Sequence, residues 1–270
     1  MRRPRPDASW PDSWRYSYRY DLLELYGDAS SPGYTYAYEN RTSIAMQLVA
    51  SVASPPATVL DVAAGQGNMS LRLAELGYSV TWNDLRADLG EYVRLKHERG
   101  AITYLPGNMF DLEPSFPFDV VVLAEVIEHA AHPDEVLKKA RTLIAADGHI
   151  VLTTPNGEYF RNTLPKFSDC ADPTLFESDQ FKPDADGHIF LLHVDELRSL
   201  ARHAGLRVKV LKLFTNPLTT GHLRTEPVLK RLPAGLVRRL ETASQRVPES
   251  VSRKLNVHLA AVLVHESAAG

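Results

Sequence analysis

Titratable side chains are concentrated in the segment AEVIEHAAHP, residues 124–133. It contains the carboxylates Glu125 and Glu128 and the imidazoles of His129 and His132, and it follows an apolar run typical of a buried strand. If the chain becomes helical at this point, the first three of these side chains stand at positions i, i+3 and i+4 and share one helix face. Carboxylates and imidazoles suit Mg²⁺, Mn²⁺ or a related divalent ion. The segment therefore predicts a cation site that needs a further ligand.

A second segment, DGHIFLLHVDEL, could supply that ligand. It contains His188 and His193 just before a predicted helix, on a long connection that we expect to cross the same edge of the sheet. We predict His188 as the fourth ligand, beside Glu125, Glu128 and His129. The alternative is that the glutamates serve the structure or position an acceptor and that no metal binds. The single cysteine, Cys170, excludes a thiolate zinc cluster.

The elements that must position these side chains alternate along the chain from residue 58 onward. Short β-branched runs are separated by helical patterns, which predicts an α/β fold: a Rossmann-like, seven-stranded, mostly parallel sheet with helices on both faces. The predicted strands cover 58–62, 78–84, 101–105, 118–124, 149–155, 206–214 and 256–264. The predicted helices cover about 40–53, 68–76, 87–98, 134–145 and 195–204.

The remaining segments predict the domain organisation. We expect a leader and lid helices over residues 1–56, then one domain over 57–270 with inserts at 156–192 and 215–255 that cap the site. The first 14 residues are basic and rich in proline and lack the apolar core of a secretory signal, so we interpret them as a mobile leader. No apolar run approaches the ~20 residues of a membrane helix. One cysteine fits a reducing compartment, and we expect a cytoplasmic protein, with an oligomer possible.

The stretch VLDVAAGQGN predicts a strand, a turn of small residues and a helix, an arrangement in which backbone amides approach a nucleotide-like ligand. A dinucleotide fingerprint would need a glycine at position 70, where Ser70 follows Gly65 and Gly67. NAD and FAD therefore fit poorly.

This stretch instead resembles the D-x-G-x-G-x-G pattern of class I S-adenosylmethionine-dependent methyltransferases, with Ala63 in place of the first glycine. The resemblance implies that S-adenosylmethionine is the cofactor, that Asp84 accepts the ribose hydroxyls, and that Asn108 and Met109 face adenine. Arg41 is our candidate for the methionine carboxylate. The candidate cofactor-binding residues are Arg41, Asp61, Ala63, Gly65, Gly67, Asp84, Asn108, Met109 and Glu125.

The predicted metal set resembles that of two methyltransferase groups, the ubiquinone-pathway O-methyltransferases and the small-RNA 3′-terminal 2′-O-methyltransferases. The resemblance implies O-methylation assisted by a divalent cation, which lowers the pKa of a bound hydroxyl. Chelation prefers adjacent oxygens, so the expected acceptor is a small molecule with the vicinal diol of a saccharide, a catechol or a phenol. His132 or His193 is the candidate base.

Other functions remain open at this point. Methylation of an RNA 3′ end would use the same metal set, but the net charge of −3 and the lack of an accessory RNA-binding domain disfavour nucleic acid. A non-catalytic protein that keeps the cofactor pocket is a third interpretation, and binding of cofactor without turnover would identify it. An amine or carbon acceptor is possible if no metal binds.

Overall fold

Seven strands form one sheet in the computed structural model, which describes residues 1–28, 30–180, 187–220 and 223–266. The strand order is β3-β2-β1-β4-β5-β7-β6. β7 runs antiparallel to β5 and β6, and the other neighbouring strands are parallel. This confirms the predicted fold class. The strands are β1 (Thr58–Val62), β2 (Ser79–Trp82), β3 (Ala101–Tyr104), β4 (Phe118–Ala124), β5 (Ile144–Pro155), β6 (Leu206–Phe214) and β7 (His258–His265).

Helices cover both faces of this sheet. Along β4, Val121 and Leu123 face α5 and α6, whereas Val120 and Val122 face α2 and α3. This alternation follows from the two-residue period of a strand, and both sides are apolar because both are buried. The helices of the described residues are α1 (Asp12–Glu24), α2 (Pro32–Val52), α3 (Asn68–Glu75), α4 (Asp88–Lys96), α5 (Pro133–Leu143), α6 (Val194–His203), α7 (Glu226–Leu229), α8 (Ala234–Ser244) and α9 (Glu249–Leu255).

The N-terminal residues pack against the domain, where the sequence predicted a mobile leader. Trp10 is 7% exposed, and its ring lies edge-to-face against Trp14, Tyr18 and Tyr92 at centroid distances of 5.9, 5.6 and 5.8 Å. Aromatic burial of this kind outweighs the basic, proline-rich composition on which the prediction depended. α2 also begins earlier than the predicted helix, at Pro32, a residue suited to the first turn of a helix.

The helix predicted to begin near residue 124 is wrong. β4 ends at Ala124, Glu125 has a left-handed backbone with φ of 55°, and a single 3₁₀ turn follows over Ile127–His129. The next α-helix, α5, starts at Pro133. The directions of the Glu125 and Glu128 side chains are therefore set by a sharp turn, and the two side chains do not share a helix face.

The two predicted inserts differ in structure. The described part of the first, 156–180 and 187–192, is irregular apart from 3₁₀ turns at Phe167–Asp169 and Pro173–Phe176. The second contains α7, α8 and α9, as its helical pattern predicted. Among the described residues, no helix is both long enough and apolar enough to cross a membrane.

Candidate functional site

The turn between β1 and α3 bends sharply at the carboxyl edge of the sheet. Ala63, Gly65 and Gly67 all have left-handed backbones, with φ of 51°, 52° and 71°. Ala63 thus adopts the conformation for which glycine is favoured, despite its Cβ. At the end of β1, the buried Asp61 carboxylate accepts a hydrogen bond of 2.6 Å from the Ser70 hydroxyl. Burial nevertheless raises the pKa of Asp61 to about 6.

Loops after β2 and β3 bring the next predicted residues to the same edge. The Gly65 amide donates to Asp84 at 2.8 Å, and the Arg86 guanidinium donates to the same carboxylate at 3.0 Å. After β3, Asn108 caps a short turn by accepting from the Phe110 amide at 3.1 Å, and Met109 is buried. Asp84 therefore borders the glycine turn with Arg86 beside it, and the loop that carries Asn108 reaches Asp84 through the Gly107 amide, which donates to the Asp84 carbonyl at 2.9 Å.

Helix α1 covers the glycine turn through a buried polar network that the sequence analysis missed. The Asn68 amide group donates to Asp21 and Glu24, each at 2.8 Å, and the fully buried Lys96 donates to Asp21 at 2.7 Å. Tyr92 donates to the same carboxylate at 2.6 Å. The signal in the sequence was that Asp21 and Glu24 lie within a tyrosine-rich helix that should be partly buried. Buried carboxylates need polar partners, so a network around them could have been expected.

Arg41 and Glu125 meet at the centre of the site. The Arg41 guanidinium donates to Glu125 Oε2 at 3.0 Å, and His258 Nε2 lies 3.7 Å from the same oxygen. Burial opposes ionisation of Glu125, but the positive charge of the Arg41 guanidinium outweighs it, reinforced by His258 when that imidazole is protonated, so the pKa of Glu125 lies below its usual value. Glu125 is therefore an ionised, partly buried carboxylate, with its side chain 21% exposed.

Glu128, His129 and His188 form a separate group close by. One potential ligand atom from each lies within 4.8 Å of the others. The Thr154 hydroxyl donates to Glu128 Oε2 at 2.9 Å, whereas Glu128 Oε1 is buried and makes no hydrogen bond to a described residue. Burial, reinforced by the charge of Glu125, raises the pKa of Glu128 well above its usual value. The structure thus brings together three of the four predicted ligands, and Glu125 is bound to Arg41 instead.

The two histidines predicted as bases lie elsewhere. His132 Nε2 is 2.8 Å from Glu177 Oε1, immediately before α5. His193 caps α6 and forms a reciprocal capping box with Glu196, and burial lowers its pKa. Neither borders the cavities around Arg41 and Glu125. His258, which does, was missed because nothing in a strand sequence marks the end that faces a site.

Three adjoining cavities share Arg41 and Glu125 as lining residues. One of about 290 Å³ extends along the glycine turn. A second, of about 380 Å³, is bordered by His129, His188 and tyrosines of α1 and α2. The third, of about 640 Å³, reaches His188, His258 and residues 155–164. The arrangement can hold one ligand on the glycine turn and another beside it, with their reacting ends near Glu125.

Comparison with known proteins gives a family for this geometry. Residues 36–210 match the family described as "Methyltransferase domain". A ubiquinone biosynthesis O-methyltransferase of Pseudomonas paraeruginosa is 30% identical over 181 residues, which cover 60% of this chain and 70% of the relative. The Xanthomonas campestris protein of the same name is 32% identical over 135 residues, 44% of this chain and 56% of the relative. The chain spans little more than half the length of that relative.

Solved structures share the fold at low identity. The CcbJ methyltransferase from Streptomyces caelestis superposes with a TM-score of 0.58 at 15% identity, over 92% of this chain and 96% of that one. Magnesium protoporphyrin IX methyltransferase from Synechocystis gives a TM-score of 0.56 at 15% identity, over 94% and 93%. With the sheet order, the glycine turn and the family match in agreement, the chain belongs to the methyltransferase-domain family, as a class I S-adenosylmethionine-dependent methyltransferase.

Proposed function

We propose that this chain transfers a methyl group from S-adenosylmethionine to a hydroxyl oxygen of a small molecule, with the help of a divalent cation held by Glu128, His129 and His188. The observation that carries the proposal is that the two histidines of this group border the cavities that meet the glycine-turn cavity at Glu125, with Glu128 buried behind them. The names of the curated relatives, ubiquinone biosynthesis O-methyltransferases, support oxygen as the acceptor atom.

The residues of the smallest cavity fit the charges of the cofactor. Its lining includes the carboxylates Glu24, Asp61 and Glu125 and the guanidinium of Arg41. A methionine moiety carries an ammonium, a carboxylate and a positive sulfur, each of which has an opposite charge in this set. We assign the methionine end to Arg41 and Asp61, the ribose to Asp84, and adenine to Asn108 and Met109. When bound, the sulfonium supplies an electrophilic methyl group.

Glu128, His129 and His188 fit a hard or borderline divalent ion. Glu128 Oε1 is a buried acceptor without a hydrogen bond to a described residue, and His129 Nδ1 lies 3.2 Å from the Gly187 carbonyl. A histidine that donates one ring N–H to a carbonyl presents the other nitrogen to a metal. A cation at this place would lower the pKa of an acceptor hydroxyl and orient it. We therefore expect an acceptor with adjacent oxygens, such as a catechol or a vicinal diol.

A labelled-methyl transfer screen tests the reaction. The full chain is incubated with labelled S-adenosylmethionine and with catechols, phenols, saccharides, amines and a short RNA with a free 3′ end, after EDTA treatment and again with added Mg²⁺ or Mn²⁺. We expect O-methyl product from a small molecule with adjacent hydroxyls, at least about tenfold more with the cation. Product on RNA alone would contradict the small-molecule acceptor, and product on nitrogen would contradict the oxygen acceptor. Equal amounts of product after chelation would contradict the role of the cation.

Direct titration with Mn²⁺ tests the metal set without an acceptor. We expect the wild-type chain to bind one Mn²⁺, and His188→Ala and Glu128→Gln to weaken binding at least about tenfold. His203→Ala is the matched control, because His203 is exposed at the end of α6, next to the start of β6 and so at the opposite edge of the sheet. Equal affinity in all four proteins would remove the cation from the proposal.

A further inference from the structure

We propose that His258 is the general base that receives the proton of the acceptor hydroxyl, and that Glu125 and Arg41 hold and polarise it. The inference rests on the proposed O-methylation and names the residue that removes the proton. Methyl transfer leaves an oxygen that must lose its hydrogen, and a histidine is the side chain best suited to accept it near neutral pH.

His258 has a fixed position at the edge of the cavity of about 640 Å³, which we call the acceptor cavity because we propose that the acceptor binds there. It is the first residue of β7, where it pairs with Pro155 of β5 and Phe214 of β6. Its ring stacks on Phe214 with a centroid distance of 5.6 Å and an interplanar angle of 27°. Strand pairing on both sides and ring stacking together hold the imidazole in one orientation beside the 640 Å³ cavity that it lines.

The positions of the two ring nitrogens of His258 indicate which one would act. Nδ1 is buried, and Nε2 lies 3.7 Å from Glu125 Oε2. Glu125 also lines the acceptor cavity, so Nε2 points toward the place where an acceptor and the carboxylate would meet. A protonated imidazole at this distance from an ionised carboxylate is stabilised by charge attraction in a site of low solvent access.

Arg41 gives Glu125 its role in this arrangement. The guanidinium keeps the carboxylate ionised and fixes it at the junction of the three cavities. Without Arg41, Glu125 would be drawn toward protonation by burial and would stabilise the imidazolium less. Glu125 and Arg41 are thus positioning residues, whereas His258 would touch the acceptor.

The other histidines at this edge have different partners. His129 and His188 belong to the proposed cation set, His132 faces Glu177, and His193 caps α6. Among the described residues, His258 is the histidine that lines the acceptor cavity outside the proposed cation set.

The proton and electron balance of the step is complete. A bond forms between the acceptor oxygen and the methyl carbon, and the methyl–sulfur bond breaks with its electron pair remaining on sulfur. The acceptor proton passes to His258 Nε2, and the imidazolium later releases it to water. No oxidant, reductant or further reactant is required.

The test compares two catechols of different acidity as methyl acceptors for the wild-type chain, His258→Gln and His258→Asn, with Mg²⁺ present. 3,4-Dihydroxybenzoate keeps its hydroxyl protons at neutral pH, whereas 4-nitrocatechol is largely ionised there and needs a base less. We expect both variants to lose about 10²–10³-fold in kcat on 3,4-dihydroxybenzoate and less than about tenfold on 4-nitrocatechol. KM and the Kd for S-adenosylmethionine should stay within about twofold of wild type.

His265→Gln is the matched control, because His265 ends the same strand at the opposite edge of the sheet. It should keep wild-type activity on both catechols. Equal losses on the two catechols in the His258 variants would indicate a structural role, and no loss would remove the base; either result overturns this inference alone. A wild-type chain that binds S-adenosylmethionine but methylates neither catechol would overturn the proposed catechol O-methylation, and the base with it.

Discussion

Two non-glycine residues with left-handed backbones, Ala63 and Glu125, directly follow the adjacent strands β1 and β4. A left-handed backbone costs an L-residue about 1–2 kcal/mol, and such conformations persist where the surrounding structure enforces them. Here the strand pairing of β1 with β4 and the Arg41 ion pair enforce them. The strain turns the Glu125 carboxylate back toward α2 and the glycine turn, where the three cavities meet.

Ala63→Gly should relieve this strain at β1. The gain is reduced by the greater freedom of glycine in the unfolded chain, which leaves about 0.5–1 kcal/mol of added stability. Urea unfolding measures it. The neighbouring Ala64→Gly is the matched control: Ala64 is not among the residues with positive φ, so this change should destabilise by about the same amount. An Ala63→Gly variant less stable than wild type would show that the alanine methyl group contributes packing.

The Asp61 carboxyl makes stability depend on pH. Its pKa is about 6 in the folded chain, above the value of about 4 in an unfolded one. A raised pKa contributes stability that is fully present below about pH 4 and is lost as pH rises through about 6, by about 3 kcal/mol. We therefore expect the stability of the wild-type apoprotein, relative to Asp61→Asn, to fall by this amount between about pH 4 and pH 7. Parallel pH profiles for the two proteins, measured by urea unfolding, would contradict this.

At the scale of elements, the turn after β1 is held by the contact of α3 with α4. A Cβ added to Gly67 would lie 2.7 Å from both Cγ atoms of Val93, so the position requires glycine for space as well as for its φ of 71°. α1 then packs over the same two helices through Asp21, Asn68 and Lys96. The shape of the cofactor turn therefore depends on how three helices pack.

Gly67→Ala should lower the free energy of unfolding by about 2–4 kcal/mol, since backbone strain and overpacking add. Val93→Ala makes space for the new methyl group. The double variant should therefore be more stable than the sum of the two single effects, by about 1 kcal/mol or more. Urea unfolding of the four proteins gives this coupling directly. If the two changes in the free energy of unfolding were strictly additive, contact with Val93 would not be the reason that position 67 requires glycine.

At the scale of the whole molecule, distant segments of the chain enclose the cavity of about 640 Å³, our proposed acceptor cavity. Its lining comes from α2, from residues 155–164, from Thr220 and from the start of β7. Gly33 joins two of these segments: its amide donates to Glu226 at 3.2 Å, and an added Cβ would lie 2.6 Å from the Thr220 backbone. α2 and the second insert therefore fit closely at this point.

Gly33→Ala should separate α2 from the second insert. We expect a loss of about 1–3 kcal/mol in stability from overpacking, and faster cleavage within the insert during limited proteolysis. Gly235→Ala is the matched control, because an added Cβ at this helical position in α8 meets nothing within 4 Å. It should raise stability slightly. Similar proteolysis of the two variants would show that the Gly33 contact does not hold the insert.

The outcome at particular residues shows how far the sequence could predict the site. The turn of Asp61, Gly65 and Gly67 was predictable because its residues are contiguous and its glycines mark required conformations. The grouping of Glu128, His129 and His188 was also predicted, although by a helix that does not form. The contacts of Glu125 with Arg41 and His258 were not predictable, since these residues come from three elements far apart in the chain.

The sequence by itself determined the order of strands and helices, the cofactor turn and the edge of the sheet at which chemistry can occur. These features follow from local periodicity and from turn residues, which act over a few positions. The tertiary structure alone decided that Glu125 faces an arginine, that α1 closes over the turn, and that a histidine of the last strand borders the acceptor cavity. Such choices depend on packing between segments distant in sequence, for which no local pattern carries a signal.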